Sequence, residues 1–177
     1  KEPGFVMLLA LIAGASILIG NLLAISQTSL KRLLAYSSIA HFGYLMVALT
    51  LVGEHGSRSV WVYLVTYVIA SLSAFAALSS LSRIGDDSNG DSLDALRGLY
   101  QRNPVLAVAL ALSLLSMAGI PLTAGFIGKF ALFASGVASA QWVLLILVVA
   151  GSAIGIYYYL RAVSVLFQRT AATTAIV

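Results

Sequence analysis

Lys129 puts an ammonium group into residues 104–137, a tract that is otherwise almost wholly apolar. A lysine centred in a membrane-spanning helix costs roughly 2.5 to 3.5 kcal/mol on insertion scales, so its default reading is a role in ion or proton movement. The tract is interrupted at its middle by Gly119, Pro121 and Gly125. Non-helical backbone at membrane depth survives only where protein or a wet cavity satisfies its N–H and C=O groups. Lys129 lies eight residues before Val137, so about 12 Å of helix separates it from the outer end of the span. At that depth it suits a proton relay whose affinity follows nearby charge. The competing reading is a lysine that snorkels to the interface, for which its four-carbon stem is short.

His41 is a second group fit for relay work. It lies nine residues after Arg32, roughly 13 Å into the second span, and its imidazole can both donate and accept. A structural histidine packed beside Tyr44 is the competing reading. Lys31 stands with Arg32 at the mouth of that span, where proton uptake from the cytoplasm is one role and setting topology is the commoner one. Arg161 follows Tyr157, Tyr158 and Tyr159, a pattern that fits an aromatic belt with a snorkelling arginine. Asn21, Gln27, Thr66 and Tyr67 are polar positions suited to interhelical hydrogen bonds, and residues 70–74 and 151–155 are small-residue packing faces.

The elements that position these groups follow from composition. The chain has 177 residues, 60% hydrophobic and 9% charged, against about 25% charged in a soluble domain. Its mean hydropathy is +1.01. The apolar tracts are continuous rather than alternating, which selects an all-α polytopic membrane protein over a membrane β-barrel. The absence of cysteine excludes disulfides and thiol chemistry. The formal net charge of +4 sits in short loops, the pattern of topology signals rather than of nucleic-acid binding. Metal-ligand clusters, phosphate loops and nucleophile–base pairs are not legible.

A single membrane domain, residues 1–177, is expected to hold five transmembrane helices near residues 5–26, 33–52, 60–81, 104–137 and 142–167. As one straight helix the fourth would reach about 50 Å, beyond a slab of about 30 Å, so it is expected to be discontinuous near residues 119–125. Asn103 and Pro104 supply its cap and first turn. Residues 83–102 form a cytoplasmic loop holding four of the six acids. Residues 85–90 carry turn chemistry, and residues 92–100 read as a short interfacial helix capped by Ser92, with Leu93, Leu96 and Tyr100 facing the bilayer. No acid falls within the expected spans, which leaves Lys129 without a carboxylate partner. Lys31, Arg32, Arg83, Arg97, Arg102 and Arg169 fall on one side and Lys1 and Arg58 on the other, which puts the N-terminus outside. No cleavable signal peptide is legible, and the chain starts without methionine, as a piece of a longer protein would.

Two stretches then carry a resemblance. Residues 26–44, with Gln27, Leu30-Lys31-Arg32, Ala35-Tyr36-Ser37 and Gly43-Tyr44, resemble a conserved segment of antiporter-like membrane subunits. Residues 112–130, closing on Phe126-Ile127-Gly128-Lys129-Phe130, resemble their broken-helix motif. The family is that of the membrane arm of bacterial respiratory complex I, the proton-pumping NADH:quinone oxidoreductase, with related cation/proton antiporter subunits. The lysine and the Tyr157-Tyr158-Tyr159-Leu160-Arg161 run are most like the subunit-N type, and the likeness runs from about Phe5 to Arg169.

The resemblance implies one inverted five-helix repeat, the second, of an antiporter-like fold. It implies that Lys129 ends a central polar axis, passing protons outward, with His41 in the same half. It also implies that NADH, FMN, Fe–S clusters and quinone belong to other subunits of the complex, with no cofactor and no redox chemistry in this chain. The implied partners are neighbouring antiporter-like subunits, other membrane-arm subunits, an N-terminal half of the same subunit, and lipid, in a bacterial inner membrane. A sodium/proton antiporter subunit and a membrane-arm scaffold remain as rival readings. Sodium would ask for clustered oxygens, and a scaffold would hold Lys129 near a surface.

Overall fold

A computed structural model describes residues 3–51, 54–84 and 92–169. Lys1, Glu2, the expected turn at residues 85–90 and Asp91 lie outside them. The described residues are helical: α1 (Pro3–Ile25), α2 (Leu30–Thr50), α3 (Glu54–Ile84), α4 (Leu99–Arg102), α5 (Pro104–Ala118), α6 (Ala124–Ala138) and α7 (Trp142–Phe167). Four of them, α1, α2, α3 and α7, each contain an apolar stretch long enough to cross a membrane. The fourth apolar tract is two helices of 15 residues each. Each rises about 22 Å and is too short to cross alone. The fold is therefore an all-α polytopic membrane protein with a discontinuous helix.

Large apolar side chains cover the outside as well as the inside: Met7, Leu11, Trp61, Val105 and Val143 are all exposed. A bundle that is apolar all round suits a lipid or protein environment rather than water. Inside, two apolar clusters lie one above the other. One gathers Leu30, Leu33, Leu78, Leu110 and Leu114 near the end where α1, α3 and α7 finish. The other gathers Ile17, Val47, Leu132, Leu144 and Val148 nearer the opposite end. Tyr67 packs against both. The polar groups of interest sit at this seam.

Small residues set the helix spacing. A Cβ on Gly20 would meet backbone atoms of Tyr36 and Ala40, and one on Gly43 would meet Ala13 and Ile17. The α1 and α2 backbones thus approach closely, as small residues allow between membrane helices. Gly151, in the expected packing face of α7, leaves room for Ile17, Asn21 and the Tyr44 hydroxyl.

Three boundaries differ from expectation. Helix α2 starts at Leu30, because Ser29 caps it, so Lys31 and Arg32 lie in its first turn rather than before it. Helix α3 begins at Glu54, six residues before the expected start of that span. The expected interfacial helix over residues 92–100 is corrected. Residues 93–98 form turns, and only Leu99–Arg102 is α-helical after Gly98 at φ 69°. Ser92 pairs with Ser29 in an isolated bridge, and Leu93 N–H donates to the Thr28 carbonyl at 2.8 Å. Ser92 does accept from the Ala95 N–H, at 3.1 Å. This docking on the α1–α2 turn rolls Leu93 and Leu96 into the core beside Leu99, away from the bilayer. Tyr100 alone of the three stays outside, against Phe167.

Candidate functional site

Helix α5 starts as its sequence dictates, with the Asn103 side chain accepting from Leu106 N–H at 3.2 Å and Pro104 in the first turn. It ends in a Schellman motif. Gly119 adopts φ 79°, its N–H reaches the Ser116 carbonyl at 3.0 Å, and Ile120 N–H reaches the Leu115 carbonyl at 3.2 Å. Thr123 then caps α6 by accepting from Phe126 N–H. The Ser116 hydroxyl of α5 accepts from Gly125 N–H at 3.1 Å, so a side chain of one half-helix caps the other. A Cβ on Gly125 would overlap the Ser116 carbonyl, and glycine there permits the close approach.

The break leaves the Ala118 carbonyl without a helical partner, and Lys129 takes it. Its Nζ donates to the Ala118 oxygen at 2.8 Å. The ammonium also stands 5.4 Å from the centroid of the Tyr44 ring, within cation–π range. A cation at the C-terminal end of α5 meets the negative end of that helix's dipole. Among the described residues Lys129 has no carboxylate partner, and the recorded ion pair joins Arg97 to Asp94. Carbonyl, helix dipole and aromatic face hold the charge instead.

His41 faces Lys129 across a cavity of about 10 Å³, which Thr66, Tyr67, Ser116 and Tyr63 also line. That volume has room for about one water molecule, and its hydroxyl-bearing walls supply the two to four polar partners such a water requires. His41 is buried. Its Nδ1 lies 2.7 Å from the Tyr63 hydroxyl and its Nε2 lies 3.2 Å from the Tyr159 hydroxyl. The ring stacks on Tyr67 at 4.6 Å and meets Tyr44 edge-on at 5.8 Å. Beside it runs a second polar link. Tyr158 donates to Asn21 Oδ1 at 3.1 Å, and Asn21 Nδ2 donates to the Ile17 carbonyl and the Tyr44 hydroxyl.

The structure thus brings Lys129 and His41 to one cavity and leaves Lys31 apart. Lys31 is exposed ten residues before His41, about 15 Å along α2. Four sequence expectations are corrected. Tyr158 and Tyr159 are no interfacial belt, being fully buried on Asn21 and His41. Arg161 does not snorkel; its Nη2 donates to the Gln27 carbonyl at 2.7 Å, tying α7 to the end of α1. Thr66 bonds the Val62 and Tyr63 carbonyls of its own helix rather than another helix. Gln27's side chain likewise stays local, on Leu23 and Ser26. Asn21 makes the expected interhelical side-chain bonds, and Tyr67 bonds Ser38 of α2. Tyr63 went unmarked because a tyrosine in an apolar run carries no periodic signal that separates a core ring from a hydroxyl partner. Among the described residues no His, Asp or Glu cluster suits a metal ion.

Known proteins share this fold. A family model described as NADH:quinone oxidoreductase/Mrp antiporter, transmembrane, matches residues 2–155. The chain belongs to that family. Subunits N of NADH-quinone oxidoreductase from Ectopseudomonas mendocina and Methylococcus capsulatus are 54% and 52% identical to it, over 92% and 95% of its length. It covers 33% and 34% of those relatives, so the chain spans about a third of their length. A chain of respiratory complex I from Thermus thermophilus superposes with a TM-score of 0.80 at 41% identity, over 92% of this chain and 36% of that one. A chain of the Mrp complex from a Dietzia species gives 0.85 at 25% identity, over 94% and 30%. The antiporter-like identity read from the broken-helix motif and the Gln27–Tyr44 segment is thereby established.

Proposed function

We propose that this chain is part of the proton-translocating membrane subunit of an NADH:quinone oxidoreductase, forming one half-channel. The observation that carries this is the cavity joining His41 to Lys129 at the helix break. Among the described residues the ammonium there is held by a carbonyl and a ring, without a carboxylate. A charge so held in low dielectric responds strongly when a neighbouring charge moves, which is how remote electron transfer would change its proton affinity. The identity to subunits N over nine-tenths of this chain supports the assignment.

In this reading Lys129 and His41 are relay groups, and Lys31 serves uptake at the cytoplasmic mouth. The chain is a non-redox part of a translocase, with no turnover of its own. NADH, FMN, Fe–S clusters and quinone reside in other subunits. Its partners are neighbouring membrane-arm subunits, including antiporter-like ones, the remaining half of the same subunit, and lipid. It sits in the bacterial inner membrane with the N-terminal end of α1 outside. The excess of Arg and Lys at the end holding Lys31, Arg32, Arg97 and Arg102 supports that orientation.

The likeness to the Mrp chain keeps a sodium/proton antiporter subunit as the second reading. The experiment uses inside-out vesicles bearing the full-length subunit in its complex. NADH-driven lumen acidification is measured in sodium-free and sodium-containing buffer, with and without a protonophore. Acidification independent of sodium and abolished by the protonophore supports the first reading. Acidification that needs a sodium gradient, and none from NADH, overturns it.

A further inference from the structure

The cavity accounts for one side of His41. Its ring nitrogens account for more, and both are used. Each meets the hydroxyl of a buried tyrosine, Tyr63 on α3 and Tyr159 on α7. A neutral imidazole has one N–H and one lone pair, whereas a phenol hydroxyl can donate or accept. The Tyr159–His41–Tyr63 array is therefore satisfied in either polarity, with the proton on either nitrogen. Two carbonyl partners would each need an N–H, and a neutral imidazole has only one to give.

The placement is directional. Tyr63 also lines the cavity that Lys129 shares, and its hydroxyl holds the imidazole nitrogen opposite the one that Tyr159 meets. Tyr159 lies in α7 two residues before Arg161, which reaches the α1–α2 turn near Lys31. Both tyrosines are buried, as is the histidine between them.

We infer that Tyr159 and Tyr63 are further relay residues of the same path, passing protons to and from His41 rather than merely packing against it. The inference rests on the proton-channel reading above. A proton arriving at the Tyr159 oxygen releases that residue's own hydroxyl proton to His41 Nε2. The Nδ1 proton passes to the Tyr63 oxygen, whose original proton leaves into the cavity towards Lys129. One proton enters and one leaves, and every group ends with the charge it began with. The imidazole ends as the other tautomer. The first is restored when Nδ1 regains a proton and Nε2 gives one up.

The test places Tyr63→Phe and Tyr159→Phe in the full-length subunit of the assembled complex, since phenylalanine keeps the ring and removes only the hydroxyl. NADH-driven proton uptake is expected to fall roughly a hundredfold, the low side of what a positioned proton-transfer group contributes. The H₂O/D₂O rate ratio should rise. On a His41→Asn background the same substitutions should add nothing. Parent uptake and a parent isotope ratio in both Phe variants overturn the inference while leaving the channel reading intact. Parent uptake in His41→Asn overturns the path through His41 itself. Should a Phe variant fail to assemble, 3-fluorotyrosine at the same position keeps shape and hydrogen bond but makes the hydroxyl more acidic. A relay hydroxyl then changes the rate and its pH profile, and an unchanged profile again overturns the inference.

Discussion

The Lys129 ammonium donates to the Ala118 carbonyl at 2.8 Å, so the residue that carries the charge also closes the helix break that precedes it. The bond spans eleven residues and joins the body of α6 to the end of α5. An orphan carbonyl at membrane depth and an unpaired cation at membrane depth are each costly. Here each offsets the other, and no acid is required.

Gly119 should resist replacement for two reasons at once. It adopts φ 79°, and an added Cβ would lie 2.7 Å from Lys129 Cδ. Gly119→Ala is expected to cost about 1–2 kcal/mol from backbone handedness alone, with displacement of the lysine stem in addition. Thermal unfolding of the purified complex and proton uptake in vesicles should both fall. Parent values in both would contradict the geometry.

Ser116→Ala should loosen the junction without touching Lys129. Gly125 N–H would lose its cap, at about 1 kcal/mol by analogy with other capping hydroxyls. Hydrogen exchange across residues 124–127 should quicken while α2 stays protected.

Thr66→Val separates cavity chemistry from fold stability. The Thr66 hydroxyl bonds only carbonyls of its own helix, so its removal should change stability by less than about 1 kcal/mol. It also forms part of the wall between His41 and Lys129. Proton uptake should therefore slow in a complex that melts at the parent temperature.

Arg161→Lys should free the end of α1. Arg161 holds the Gln27 carbonyl at 2.7 Å through one nitrogen while its Nε is buried, and lysine cannot reproduce that planar fork. Faster hydrogen exchange at residues 26–29 is the expected readout, with less effect at the helix break.

How far these features could be read in advance depended on the kind of signal. Hydropathy and length placed the long apolar helices because burying polar backbone in lipid leaves few solutions. Gly119 and Pro121 marked the break, and Lys129 beside them marked the candidate site, because each breaks a rule of apolar helices. Leu93 and Leu96 were different. Their spacing gave an apolar face, but periodicity carries no information on whether lipid or protein covers it, and the Ser29–Ser92 bridge decided that. The same ambiguity hid Tyr159, since a tyrosine near a helix end suits an interface and a buried hydroxyl equally. Tyr63 and Tyr159 lie 96 residues apart, and only the fold brings them to opposite nitrogens of one imidazole.

The central claim is that Lys129 carries protons. The most direct test is Lys129→Ala in the full-length subunit, with assembled complex verified in the membrane. NADH-driven quinone reduction and proton uptake would be followed side by side in inside-out vesicles. Proton uptake should collapse while the complex remains assembled. Uptake and quinone reduction both at parent rates would contradict the account and leave Lys129 as a helix-break clamp alone.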